Sequence, residues 1–212
     1  VKANIYIHSG TLTISREKNV TIAGNVSGRS YDSTLNVEGN LTVTGNSDSY
    51  STTVGGNLTV CGNFSTYYVS MSELTSTITV GGNWYVANNC NITSGNVVFN
   101  GTTQQTVHNL SCHNLIVTNK AGIKYNNAVF ITGEYLLNGN PLDNNGYSTI
   151  VTSSQTRFDS ISDYKEVTVQ TDLVLPSSIK ANISSVTVTA DNGSYSSQLG
   201  SLFVQGIIKP KI

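Results

Sequence analysis

The sequence predicts an all-β chain wound as a parallel β-solenoid (β-helix), with a less regular C-terminal β segment or cap. Three observations predict it. A six-residue phrase, L-x-V-x-G-N, runs twice through residues 35–46 (LNVEGNLTVTGN) and returns as doublets at 52–63, 78–89 and 129–140. Within each phrase the first and third residues are apolar and the second is mostly polar, the period-two pattern of a strand with one buried face. Each phrase closes on Gly-Asn, the two residues that most readily take left-handed backbone angles, so a corner is expected after every short strand. Strands of three or four residues are too short for a sandwich, and hairpins favour Asn-Gly in that order. Such units suit coils stacked in parallel about 4.8 Å apart around an apolar column.

Taken in order, residues 5–7 and 12–14 are degenerate copies of the phrase and residues 20–25 a clean one, with equal steps from Ile5 to Val20 to Leu35 that imply regular coils from the N-terminus. Segments 25–34, 47–51, 64–77 and 90–128 are read as excursions of varying length on one side of the coil. Aligning the doublets places Asn40, Asn57 and Asn83 in one corner column and Asn46, Asn63 and Asn89 in the next, where side-chain amides bond along the stack. It also sets Val37, Val54, Val80 and Ile131 in line inside, each worth about 1.5–3 kcal/mol when fully buried. The outward second positions run Asn36, Thr53, Thr79, Phe130 and Thr42, Thr59, Tyr85, Leu136, so the surface turns apolar toward the C-terminal end. A cover is expected there: the 64–77 segment, the C-terminal segment or a neighbouring subunit. The phrase stops at Asn140. Residues 1–140 are therefore assigned to solenoid coils and 141–212 to irregular final coils or a β cap, with apolar alternation at 167–169, 173–175, 186–188 and 202–204.

Composition narrows the function. Net charge is −1 and 11% of residues are charged, so no basic stripe is present for nucleic acid and no polybasic patch for a membrane surface. No apolar run approaches the ~20 residues of a membrane-spanning helix. The chain opens on Val1, the mark of a processed leader or a fragment. Asn, Ser, Thr, Gly and Tyr supply the polar surface, a composition that suits an extracellular or cell-surface protein. Cys61, Cys90 and Cys112 are odd in number and read first as small buried apolar residues, with one disulfide and one free thiol as the alternative; Cys61, at an outward place of its phrase, is the one expected to be reactive or paired.

The candidate chemistry is sparse. His108, Cys112 and His113 fit no standard zinc spacing, so no metal and no cofactor is assigned. Calcium-binding repeats need an aspartate in each repeat, and the doublets have none. Asp32, Asp48, Glu73, Glu134 and Asp143 are scattered, which gives no carboxylate pair for glycoside hydrolysis; the serines have no nucleophile elbow. No catalytic residues are assigned. Threonine ladders that would order water, Thr53/Thr79 and Thr42/Thr59, are two deep on this alignment. The expected contact surface is aromatic and apolar: Tyr67, Tyr68 and Tyr85, with Tyr50 nearby, and Phe130 and Leu136. Asn-x-Ser/Thr sequons at corner asparagines 40, 57 and 63, and at Asn25, Asn91, Asn100, Asn109, Asn182 and Asn192, are candidate glycosylation sites.

The stretch VVFNGTTQQTVHNLSCHNLIVTNKAGIKYNNAVFITG, set between the doublets, resembles a broad class of large secreted microbial repeat proteins. In these a phrase like FNGT…QT(I/V)…NL…N…AG is followed by short V-x-(I/V)-x-G strands. The resemblance spans residues 35–140 and implies a cell-surface, adhesin-like or fibre-forming role without catalytic residues. The expected partners are copies of the chain itself, as a homopolymer, or a cell-surface glycan. The alternative is a carbohydrate-binding or polysaccharide-degrading β-helix.

Overall fold

The structure, a computed structural model, describes residues 2–151 except 29, 139 and 148, and beyond them the backbone of short strands between Thr156 and Lys209. The described residues form strands and turns with no helix, and hence no helix long and apolar enough to cross a membrane. Parallel strands stack in register into three faces of one coil. The clearest is the third face, a seven-stranded sheet of Asn19–Ile22, Asn40–Val43, Asn57–Val60, Thr77–Val80, Asn96–Phe99, Asn114–Val117 and Tyr135–Leu136. Successive rungs on it are 17 to 21 residues apart.

The first and second faces begin as separate strands, Val26–Gly28 then Ser33–Val37. They fuse into the long bent strands Ser47–Val54, Phe64–Met71 and Trp84–Ile92, and separate again as Gln105–His108 and Leu110–Cys112. The parallel stacking runs on through Leu142–Asp143 and Thr149–Val151, and the backbone of Val167–Val169 pairs in parallel on the latter. The runs expected at 167–169, 173–175, 186–188 and 202–204 coincide with the strands Val167–Val169, Asp172–Val174, Ser185–Val188 and Ser201–Phe203.

One phrase is thus one face, and a doublet is two successive faces of a coil. The first two doublets stack as read: Val37 pairs with Val54, Leu41 with Leu58 and Val43 with Val60. The third is displaced by one face. Val80 pairs with Val60 and Phe99 on the third face, whereas Val54 continues to Met71 on the second; Ile131 lies in register with Cys112 and Val151. The equal steps at the N-terminus fail for the same reason, since Ile5 pairs with Val26 and Leu12 with Leu35. Nor are the segments 25–34, 47–51, 64–77 and 90–128 excursions as wholes; the last contains the stacked strands Asn96–Phe99, Gln105–His108, Leu110–Cys112, Asn114–Val117 and Ile123–Tyr125. FSTYYVSM lacks the phrase yet buries Phe64, Thr66, Val69 and Met71 in alternation, and the loop is confined to the residues after Met71. Inside, Leu41, Leu58, Ile78, Val97, Leu115 and Tyr135 form one continuous buried column, and Ile22, Val43, Val60, Val80, Phe99 and Val117 another.

The corners also differ from expectation in cause. No Gly-Asn corner of the first three doublets has a positive φ; among the described glycines only Gly10, Gly95, Gly122 and Gly146 do. Glycine is required because the coils approach closely. A Cβ on Gly56 would overlap the backbone carbonyls of Gly39 and Glu38 on the coil beneath, while one on Gly55 would meet nothing nearer than 3.9 Å.

Two asparagine columns run along the corners, built in different ways. In the first, amide bonds amide: Asn40 Nδ2 donates to Asn19 Oδ1 (2.6 Å), Asn57 Nδ2 to Asn40 Oδ1 (2.8 Å) and Asn114 Nδ2 to Asn96 Oδ1 (3.0 Å). In the second, each side-chain oxygen accepts the backbone N–H of the next corner: Asn25 to Asn4, Asn46 to Asn25, Asn63 to Asn46, Asn83 to Asn63 and Thr106 to Asn83, all at 2.7–2.9 Å. Asn83 therefore belongs with Asn46 and Asn63, not with Asn40 and Asn57, and Asn89 is in neither column but pairs with Tyr68. The cause is the one-face displacement of the third doublet.

Candidate functional site

Two outward columns carry the exposed aromatic side chains of the early coils. At the bend between the first and second faces, Tyr50 and Tyr67 stack with centroids 5.1 Å apart and planes 11° apart. Tyr31 meets Tyr50 edge-on at 5.3 Å, and Tyr68 meets both Tyr50 and Tyr67 edge-on. Tyr31, Tyr50 and the adjacent pair Tyr67 and Tyr68 come from three successive coils, so the stacking of the coils brings the rings together. Desolvation inside this cluster, and then the Tyr68 hydrogen bond, hold the Tyr50 phenol above its ordinary range.

The second column lies on the first face. Ser27, Asp48, Ser65, Tyr85 and His108 are successive in-register partners, and Tyr85 stacks on His108 at 4.8 Å and 12°. Between the two columns opens a shallow cleft of about 300 Å³, lined by Asp48, Ser49, Tyr50, Ser65, Thr66, Tyr67, Tyr85 and Ala87. Beneath it a buried hydroxyl cluster fixes the bend. Ser49 and Thr52 share a 2.6 Å bond, and Thr66 Oγ1 donates to the carbonyl of Tyr68 at 2.8 Å. Above the bend, the strand Trp84–Ile92 carries a bulge, with Ala87 and Asn88 opposite the single residue Tyr67.

Tyr67, Tyr68 and Tyr85 thus come together, while the other two expected contact residues do not join them. Phe130 is exposed on the second face in register with Ser111 and Ile150, and Leu136 lies half-buried on the third face beside Ile116. Asp48 and Ser65 line the cleft and His108 backs Tyr85, a grouping that the sequence pattern did not give; only the register joins them. The threonine ladder is deeper than the alignment gave. Thr21, Thr42, Thr59 and Thr79 form one outward column, which continues as Val98, Ile116 and Leu136.

The remaining candidates disperse. Cys112 is buried inside the coil, His108 stacks outward on Tyr85, and His113 Nδ1 bonds Thr132 Oγ1 at 3.1 Å. Among the described residues no three of His, Cys, Asp and Glu gather as a metal site. Cys61 is exposed and free; Cys90 and Cys112 are buried free thiols. Burial pushes the Cys90 thiol up to about 12 and holds Cys112 well above its ordinary value. Of the sequons, Asn25, Asn40, Asn57 and Asn63 sit in the corner columns, and Asn19 (N-V-T) heads a further one. Asn91 and Asn100 are exposed. Asn109, at φ 57°, donates Nδ2 to the carbonyls of both Val86 and Asn88. Asn182 and Asn192 lie outside the described residues.

The fold defines the chain as a parallel β-solenoid. No family model, curated protein or solved structure matches it.

Proposed function

We propose that this chain is a β-solenoid segment of an extracellular structural or adhesive surface protein, part of a filament or cell-surface fibre, which works through rigidity and contact rather than catalysis. One observation carries the reading. Asparagine ladders run from rung to rung along two corners, and two stacked pairs, Tyr50 on Tyr67 and Tyr85 on His108, stand outward beside them, so the surface offers a repeating polar edge with an aromatic contact face on a stiff core. The strands of the first coil, Ile5–Tyr6, Gly10–Ile14 and Asn19–Ile22, pair on one side only among the described residues, and such an edge accepts a strand from a second copy.

Light scattering with negative-stain imaging tests this: end-to-end filaments that lengthen with concentration, or rods that adhere to cell-wall material, support it. A compact monomer that cleaves a polysaccharide would replace it with the degrading alternative. Against degradation, Asp48 is the one carboxylate lining the cleft, whereas glycoside hydrolysis commonly uses two.

A further inference from the structure

We propose that the cleft between the two aromatic columns binds one uncharged hexopyranose ring of a glycan, with Tyr85 as its stacking platform. This deepens the adhesive reading above and rests on it.

The stack of Tyr85 on His108 covers one face of the tyrosine ring. The other face looks back along the column toward Ser65 and then Asp48, its in-register partners on the two preceding rungs. Both side chains are too short to cover it, and Tyr85 remains 49% exposed. Rungs are ~4.8 Å apart, so the Ser65 and Asp48 rungs leave ~10 Å of column without a ring next to Tyr85, room for one ring at stacking distance, and the column stays ring-free through Ser27. The neighbouring column shows the same step already filled by a ring, with Tyr67 5.1 Å from Tyr50.

The chemistry of the walls selects the ligand. A pyranose has an apolar C–H face to lay on Tyr85 and equatorial hydroxyls to reach the Asp48 carboxylate and the Ser65 hydroxyl. The lining holds no lysine or arginine to receive a phosphorylated or acidic sugar, while a carboxylate has lone pairs enough to accept a neutral sugar's hydroxyl beside another partner. A volume of about 300 Å³ is at the small end for ligand sites and suits a single ring. The bulge opposite Tyr67 ends that tyrosine column on Ala87 and keeps the slot open beside Tyr85.

Affinity electrophoresis through gels containing neutral polysaccharides (β-1,3-glucan, mannan, galactomannan) tests the site, with polygalacturonate as the acidic contrast. The wild-type chain should be retarded by at least one neutral polymer and not by polygalacturonate. Tyr85→Ala should weaken retardation about threefold to tenfold, the loss of one ring stack. Ser65→Tyr, which extends the existing stack into the opening, should abolish it with circular dichroism unchanged. The proposal is overturned if no neutral polymer retards the wild type, if polygalacturonate alone does, or if Ser65→Tyr is retarded like the wild type. Light scattering on the same samples reports assembly separately, so a rod or filament that ignores sugars removes the cleft and leaves the scaffold.

Discussion

Gln105→Leu should destabilise the solenoid although it touches no exposed surface. Gln105 is 1% exposed. Its Oε1 accepts from Gly101 N (2.8 Å) and Asn119 Nδ2 (3.0 Å), and its Nε2 donates to the carbonyls of Val80 (2.9 Å) and Gly82. Leucine keeps the approximate volume and removes all four bonds. Two of the partners retain company: Val80 O still accepts from Asn100 N, and Asn119 Nδ2 still donates to Thr103 O and Gly122 O. The Gly101 N–H and the Gly82 carbonyl lose this bond; both residues are half-buried, so water meets part of the loss. At about 0.5–1.5 kcal/mol net for each of these two bonds, the expected loss is about 1–3 kcal/mol, a sizeable share of a typical domain's 5–15 kcal/mol or so. The adjacent Gln104 is exposed, and Gln104→Leu should stay within about 0.5 kcal/mol. Urea unfolding followed by the single tryptophan reads this well, because buried Trp84 lies on the preceding rung, in register with Val107. Equal midpoints for the two leucine variants would refute the buried-amide account.

Three further outcomes follow from the coil-to-coil contacts. Gly56→Ala should cost more than about 2 kcal/mol by thermal or urea unfolding, since its Cβ meets backbone, while Gly55→Ala should be neutral or gain up to about 1 kcal/mol; equal effects would count against close approach as the role of glycine. Stability should fall as pH rises above about 9. The unfolded Cys90 thiol ionises near 9.0 but the folded one near 12, so the unfolded chain holds fewer protons over that window and loses up to about 1.4 kcal/mol of relative cost per pH unit. Cys112, also raised by burial, adds to the slope. Melting curves from pH 8 to 11 check it, and Cys90→Ala should flatten the decline. In a glycosylating host, glycopeptide mass spectrometry of the folded protein should find Asn109 bare, because both amide protons are committed. Asn19, Asn40 and Asn57 should never be modified on adjacent rungs, only ~4.8 Å apart; full occupancy at those sites would contradict the ladder.

Strand length, inward alternation and parallel winding were legible in the sequence because a buried face imposes period two wherever it occurs. Register was legible only where one doublet followed another at a single coil's distance, as residues 35–46 and 52–63 do. TITVGGN at 77–83 reads as the opening of a doublet, yet it is the third face of a coil whose first two faces are FSTYYVSM. That strand keeps the alternation while abandoning the phrase, so phrase matching passes over it. The motif FNGT…QT…N…AG resolves into a physical unit: Gln105 and Asn119 are buried amides that bond corner carbonyls and N–H groups where the coil turns at 100–104 and 118–122. The aromatic cleft was half legible. Tyrosines are conspicuous by type, but Asp48 and Ser65 join the cleft, and His108 comes to back Tyr85, only through pairings 17 to 23 residues apart, and those distances vary from coil to coil.

Spin-label distances along the third face probe the winding itself. With Cys61 replaced by serine, one label at Thr21→Cys is paired in turn with labels at Val98→Cys, Ile116→Cys and Leu136→Cys, positions in one outward column. Rungs stacked in parallel predict backbone separations of ~19, ~24 and ~29 Å, a steady rise of ~4.8 Å per rung. Distances that do not climb in step, or a pair at 116 and 136 no farther from 21 than 98 is, would contradict a single stacked coil.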